Sequence, residues 1–161
     1  MWKLQKGHYE ITGSESPISH RKLAEKIERY LYINGLMIDL RKYPYKDLNQ
    51  ELVTEILEKR NSLIGTYIDM INPTCIVNLP WAASGVLLFA GKYGRRRKRP
   101  KFKIFVDSVV EWGVLTPIIV AVGETKGKEY YIIHEGRHRA QTAIHLGLPK
   151  IPAFILKPWR T

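Results

Sequence analysis

The chain changes from apolar to basic within nine residues, Ile132-Ile133-His134-Glu135-Gly136-Arg137-His138-Arg139-Ala140. The β-branched start is typical of a strand, and Gly136 allows the backbone to turn tightly into a helix. The predicted helix runs from residue 137 to 146, turns Ala140, Ala143 and Ile144 inward, and is closed by Gly147.

The start of that helix is a candidate anion site. The first amides of a helix lack partners within it, and the helix dipole places partial positive charge there. Arginine adds a planar fork of donors that suits phosphate oxygens. We therefore predict that a phosphate group binds at Gly136, Arg137, His138 and Arg139.

Short β-rich runs surround this junction, at residues 74–79, 86–89, 117–122, 129–133 and 151–156. A further helix is indicated by helical spacing of Phe102, Phe105, Val106, Val109 and Val110, and a hairpin turn is predicted at Gly123 and Gly127. We expect an α/β (α+β) fold, a small mixed sheet with helices, preceded by an N-terminal helical segment.

The N-terminal part is predicted to be largely helical. One helix starts at Ser16-Pro17 and runs to Asn34-Gly35, and a second begins after Asp47, bends, and ends by Asn72-Pro73. Ahead of them we expect a loose arm with at most a short strand at residues 9–11. We predict that residues 1–72 form an extension packing on the core and that residues 73–161 form the main domain.

The order of motifs resembles the ParB/sulfiredoxin superfamily over roughly residues 102–156. The motifs are a helix, Gly113-Val114-Leu115-Thr116-Pro117-Ile118-Ile119-Val120, a hairpin, the Gly136–Arg139 turn, a second helix, Leu146-Gly147-Leu148 and Ile151-Pro152-Ala153-Phe154-Ile155. The resemblance implies a turn that holds nucleotide phosphates: CTP in chromosome-partition ParB proteins, ATP in sulfiredoxin and ADP in archaeal free-serine kinases. It implies a nucleotide, with Mg²⁺, as a candidate cofactor. Thr116 stands where a Gln is common, and its hydroxyl is a candidate nucleotide contact.

Two departures narrow what the resemblance implies. ParB turns read Gly-Glu-Arg-Arg-x-Arg, whereas residues 136–141 here are Gly-Arg-His-Arg-Ala-Gln, which lack one acid and one arginine. CTP chemistry is therefore in doubt. Sulfiredoxin has its nucleophilic cysteine where Arg137 stands, and the lone Cys75 is far away in sequence, so reduction of cysteine sulfinic acid is excluded.

The charge of the chain points to a polyanionic partner. Its formal net charge is +11, from 26 Lys and Arg against 15 Asp and Glu. We predict that a loop at residues 92–103 binds DNA phosphates without reading bases, through Lys92, Arg95, Arg96, Arg97, Lys98, Arg99, Lys101 and Lys103. There is no apolar run of membrane-spanning length and no signal-peptide pattern, so we expect a cytoplasmic protein that does not bind membranes.

Three functions remain open. The leading interpretation is a DNA-associated, nucleotide-binding ParB-like protein of a plasmid, virus or chromosome. The second is an enzyme, either a metal-dependent nuclease or a nucleotide-dependent small-molecule kinase, with Glu135 and His138 as catalytic candidates and Glu135 as the Mg²⁺ ligand. The third is a non-catalytic module in which the N-terminal helices form a homodimer contact. Asp107 and Glu111 are interpreted as solvated or ion-paired.

Overall fold

The computed structural model describes residues 3–5, 8–11, 29, 48–65, 68–79 and 100–158. The first predicted helix, apart from Arg29, and the predicted strand at residues 86–89 lie outside these ranges. No helix within the described ranges is long and apolar enough to cross a membrane.

The described ranges contain one six-stranded mixed sheet. Its central strand, β6, runs parallel to β2 and β4 and antiparallel to β3. The outer pairs β1–β2 and β4–β5 are antiparallel. The strands are β1 Lys3–Gln5, β2 His8–Ile11, β3 Ile68–Ile71, β4 Ile118–Thr125, β5 Lys128–Glu135 and β6 Ile151–Pro158.

Within the same ranges three α-helices accompany the sheet: α1 Gln50–Asn61, α2 Pro100–Trp112 and α3 Arg137–His145. The start of α1 is capped by Asn49, whose side-chain oxygen accepts a hydrogen bond from the Leu52 amide at 2.8 Å. Basic residues in its last turn, Lys59 and Arg60, suit the negative end of the helix dipole. The α/β (α+β) class predicted from the sequence is confirmed.

The main core lies between the sheet and helices α2 and α3. Ala140 and Ala143 of α3 are fully buried, so this helix approaches the sheet closely. The other buried members include Val106, Val109, Ile118, Val120, Ile133, Ile151 and Ile155. A second, smaller cluster joins Val53 and Ile56 of α1 to Leu115, which lies in the loop before β4. Helix α1 thus packs against the segment that leads into the sheet.

The predicted extent of the second N-terminal helix is wrong. Helix α1 ends at Asn61, and Gly65 then adopts a left-handed conformation, φ +84°, which no α-helix can continue through. Residues 68–71 form β3 and pair with β6 instead. Three of the described strands lie before residue 73 and belong to the same sheet as the rest, and the division at 72/73 stays a prediction.

The strand predicted at residues 74–79 is also wrong. Pro73–Cys75 is a single 3₁₀ turn, capped by the side chain of Asn72, which accepts from the Thr74 amide at 3.0 Å. Ile76 makes an isolated bridge to Tyr131. Beyond it, the Asn78 carboxamide donates to the Ile133 carbonyl at 3.0 Å and accepts from its amide at 2.8 Å. A side chain thus replaces the neighbouring strand at this edge of β5.

The remaining predicted elements are confirmed with small adjustments. Helix α2, the hairpin β4–β5, helix α3 and β6 all lie where the sequence predicted them. The hairpin turn contains Gly127, whereas Gly123 lies inside β4 opposite Tyr130. Val110, one of the helical-spacing residues of α2, is 64% exposed and does not join the core.

Candidate anion-binding turn

The predicted junction from strand to helix is confirmed at Gly136. Strand β5 ends at Glu135 and helix α3 begins at Arg137, with Gly136 between them at φ +96° and ψ 29°. A Cβ at this position would lie 2.6 Å from Ile118 Cγ2 and 3.0 Å from Arg139 Nε. Both the left-handed backbone and the close approach of these side chains therefore require glycine.

The first turn of α3 carries positive charge and no acidic residue. The Ala140 amide makes the first helical hydrogen bond, to the Gly136 carbonyl at 3.0 Å. The amides that come before Ala140 in this turn receive no side-chain cap, because Gly136 has no side chain. Arg137 and His138 are both exposed. This end of the helix, whose first residue is the exposed Arg137, is therefore suited to an anion.

Arg139 lies on a different side of the helix. Its Nη1 donates to the Pro117 carbonyl at 2.7 Å and to the Thr116 carbonyl at 3.2 Å. Arg139 and Thr116 were both predicted to contact the nucleotide. They are hydrogen-bonded to each other, through the backbone oxygen of Thr116. Thr116 itself is buried, with 6% of its surface exposed. Arg139 ties α3 to the loop before β4.

A second arginine, on α1, also donates a hydrogen bond to this loop. Arg60, in the last turn of α1, donates from Nη1 to the Val114 carbonyl at 2.8 Å. Burial lowers the pKa of the Arg60 guanidinium from its usual value, because desolvation disfavours the charged form. No signal in the sequence singled out Arg60, since a basic residue in a last helical turn is ordinarily a solvated partner of the dipole.

A shallow depression opens beside the Arg139 tie. It is lined by Phe105, Ser108, Val109, Gly113, Val114, Leu115, Thr116 and Arg139. Its cavity volume is about 10 Å³, roughly the space of one water molecule. The depression formed by these described residues therefore does not enclose a nucleotide.

The predicted catalytic residues flank the turn. Glu135 is partly exposed at the last position of β5, and His138 is exposed on the first turn of α3. Within the described ranges, no three His, Cys, Asp or Glu side chains are grouped to hold a metal ion. The catalytic and metal roles of these residues stay predictions. Asp107 and Glu111 are exposed on α2, in keeping with the solvated role predicted for them.

Helix α3 also buries two polar residues that the sequence pattern did not single out. Gln141 is 2% exposed and Thr142 is fully buried. In the described part of the chain, both polar atoms of the Gln141 carboxamide and the Thr142 hydroxyl lack a hydrogen-bond partner. A buried polar group without a partner costs about 1–3 kcal/mol. The apolar stripe of α3 predicted burial of its alanines but carried no signal for these two neighbours.

The basic run is described only at its end. Lys92 and residues 95–99, predicted to bind DNA, lie outside the described ranges. Helix α2 begins at Pro100, which places Lys101 and Lys103 on a helix and not in the predicted loop. Lys103 is exposed.

Comparison with known families places the turn in context. Residues 91–160 match the family model of the ParB N-terminal domain. The matched segment contains α2, β4, β5, α3 and β6, and therefore the whole strand-to-helix junction. No curated protein and no solved structure matches the chain.

Proposed function

Because residues 91–160 match the family model of the ParB N-terminal domain, we propose that this chain is a DNA-associated, ParB-like protein that binds a phosphate group at the Gly136–Arg139 turn. The phosphate belongs to a nucleotide, ATP, ADP or CTP with Mg²⁺, or to DNA. The basic segment at residues 92–103 supplies further contacts to the DNA backbone.

One observation carries the proposal: a left-handed glycine opens α3, and an exposed arginine follows it with no acid in the first turn. The helix dipole and the Arg137 guanidinium favour the same ligand, a compact anion. Arg137 is the direct ligand in this proposal. Arg139 supports it by fixing the first turn of α3 to the Thr116 and Pro117 carbonyls.

The test uses calorimetric titration with ATP, ADP, CTP and GTP in the presence of Mg²⁺. The Arg137→Gln variant should bind the preferred nucleotide roughly tenfold more weakly, because a charge-assisted hydrogen bond is worth about 1.5 kcal/mol. Lys150→Gln, which removes one exposed positive charge outside the turn, at the residue directly before β6, should bind like the wild type. Equal affinities for Arg137→Gln and Lys150→Gln would refute the proposed ligand role.

The DNA contact is tested by its salt dependence. The variant with Ser at Arg95, Arg96, Arg97, Lys98 and Arg99 should show a shallower dependence of log K on log salt, by roughly 0.9 for each phosphate that the variant no longer neutralises. Fluorescence anisotropy with one duplex, measured from low to physiological salt, gives both slopes. An unchanged slope would place the DNA-binding surface elsewhere on the chain.

An enzyme that transfers or hydrolyses phosphate is the second candidate, favoured by the position of Glu135 directly before the turn. Mg²⁺ is commonly bound by one or two carboxylates together with substrate phosphates. One carboxylate beside a phosphate turn fits that mode. The residues in question are Glu135 as metal ligand and His138 as proton carrier.

Plasmid cleavage and nucleotide hydrolysis with Mg²⁺ or Mn²⁺ test the enzymatic candidate. Loss of the activity in Glu135→Gln, with His138→Asn reduced, is the expected result. Equal turnover by the wild type and Glu135→Gln would assign the activity to a contaminant.

A further inference from the structure

The phosphate-binding turn is supported from a part of the chain that lies outside the segment matching the ParB N-terminal domain. We infer that Arg60 of helix α1 is a positioning residue for the turn and acts through the loop at residues 113–117. The inference rests on the proposed phosphate binding at Gly136–Arg139, and it adds a residue that the family match at 91–160 does not contain.

The contacts form a continuous path from α1 to Gly136. Arg60 Nη1 donates to the Val114 carbonyl at 2.8 Å. Two and three residues further along the loop, the Thr116 and Pro117 carbonyls accept from Arg139. The Arg139 guanidinium in turn packs over Gly136, within 3.1 Å of where a Cβ would stand. Movement of the loop therefore moves the cation that holds the first turn of α3.

The apolar contacts reinforce the same path. Leu115, between the two hydrogen-bonded parts of the loop, is buried against Val53 and Ile56 of α1. Helix α1 therefore contacts the loop through one hydrogen bond and one buried side chain. Arg139 of α3 donates hydrogen bonds to the same loop, so two helices hold the loop in place.

A residue that served only to pack α1 against its neighbours would not need a charged hydrogen-bond donor. Arg60 is partly buried, and its described partners are two neutral oxygens, the Val114 carbonyl and, at 3.4 Å, the Asn61 side chain. Among the described residues no carboxylate pairs with it, and its Nε is buried without a partner. A methionine would fill similar space without desolvating a charge. The Arg60 guanidinium instead supplies a hydrogen-bond donor to one carbonyl of the loop, that of Val114.

Three variants separate positioning from packing. Arg60→Met removes the donor and keeps the volume, Arg60→Lys restores a cationic donor, and Lys59→Met changes the adjacent residue, whose Nζ makes an exposed ion pair with Glu55 at 3.2 Å. Each is titrated with inorganic pyrophosphate by calorimetry. The Gly136 amide and the Arg139 Nε–H are followed by ¹H–¹⁵N NMR, and folding by circular dichroism.

We expect Arg60→Met to bind pyrophosphate about five- to tenfold more weakly, the lower range of coupling between connected sites. The Gly136 and Arg139 signals should shift in Arg60→Met, while Arg60→Lys should return both towards the wild type. Lys59→Met should leave affinity and signals unchanged.

The NMR readout keeps this inference separate from the proposed function. A wild type that binds neither pyrophosphate nor any nucleotide would overturn nucleotide binding at the proposed turn, and the Gly136 and Arg139 signals would still report on the positioning. Unchanged signals in folded Arg60→Met would overturn the positioning role. So would an Arg60→Lys variant that is folded yet resembles Arg60→Met in both readouts.

Discussion

Two neighbouring regions differ in whether their buried polar groups have hydrogen-bond partners. In the loop at residues 113–117, guanidinium groups from α1 and α3 donate to three carbonyls, those of Val114, Thr116 and Pro117. On α3, two and three residues beyond the loop's own partner Arg139, the side chains of Gln141 and Thr142 are buried without any partner among the described residues. Hydrogen bonds thus fix the loop to α1 and α3, whereas the buried polar side chains of α3 lower the stability of the fold.

The difference predicts opposite signs for substitutions only a few residues apart. Removing a polar group from the loop contacts leaves buried acceptors without donors, which destabilises the fold. Removing a polar group from the buried side of α3 relieves a desolvation penalty. Natural sequences concentrate such locally unfavourable choices at functional sites, and α3 is the helix that opens with the candidate phosphate turn.

The largest effect is expected where the two regions touch, at Gly136. Gly136→Ala combines a left-handed backbone with a Cβ 2.6 Å from Ile118 Cγ2, so we expect a loss of about 2–4 kcal/mol in the free energy of unfolding. Gly127→Ala is the matched control, since Gly127 has φ +75° and nothing within 4 Å of the place where a Cβ would stand; it should lose only about 1 kcal/mol. Urea denaturation measures both, and equal losses would mean that Ile118 and Arg139 do not restrict this position.

A smaller loss is expected from the arginine tie. Arg139→Met removes the donor shared by the Thr116 and Pro117 carbonyls and should lower the free energy of unfolding by about 1–3 kcal/mol. Arg137→Met, two residues earlier and exposed, should stay within about 0.5 kcal/mol of the wild type.

The order of the two variants should reverse when nucleotide affinity is measured in place of stability. Arg137→Met should then show the larger loss. In the proposed site Arg137 is the direct ligand, and Arg139 acts by holding the helix. If Arg137→Met proved the more destabilising of the two in urea, the assignment of Arg139 as the structural tie would be wrong.

The sequence predicted the elements whose signal is local. The junction at Gly136, the hairpin and the buried alanines of α3 follow from residue type and spacing, and the structure confirms them. Strand β3 was missed because Ile68–Ile71 depends on pairing with β6, roughly eighty residues away in the chain. The strand predicted at 74–79 failed because Pro73 starts a 3₁₀ turn and Asn78 pairs with β5 through its side chain.

The candidate site, like the fold, could be predicted from the sequence only in part. Residue type located the glycine and the exposed Arg137, but it could not tell which of two nearby arginines would face solvent. Arg139 and Arg60 acquire their roles from carbonyls of a distant loop, and a sequence shows no sign of which backbone oxygen a guanidinium will reach. The burial of Gln141 and Thr142 likewise depends on how α3 packs.

The smallest expected effect, and the only gain in stability, comes from Thr142. Thr142→Val replaces a fully buried hydroxyl lacking a described partner with a methyl group of nearly the same shape, and should raise the free energy of unfolding by about 0.5–1.5 kcal/mol. Thr54→Val makes the same change on α1, where the hydroxyl is exposed and donates to the Gln50 carbonyl at 2.7 Å, and should change stability by less than about 0.5 kcal/mol. Urea denaturation of the two variants side by side decides the matter. A Thr142→Val protein less stable than the wild type would show that the hydroxyl has a partner in solution, and the contrast between α3 and the 113–117 loop would then disappear.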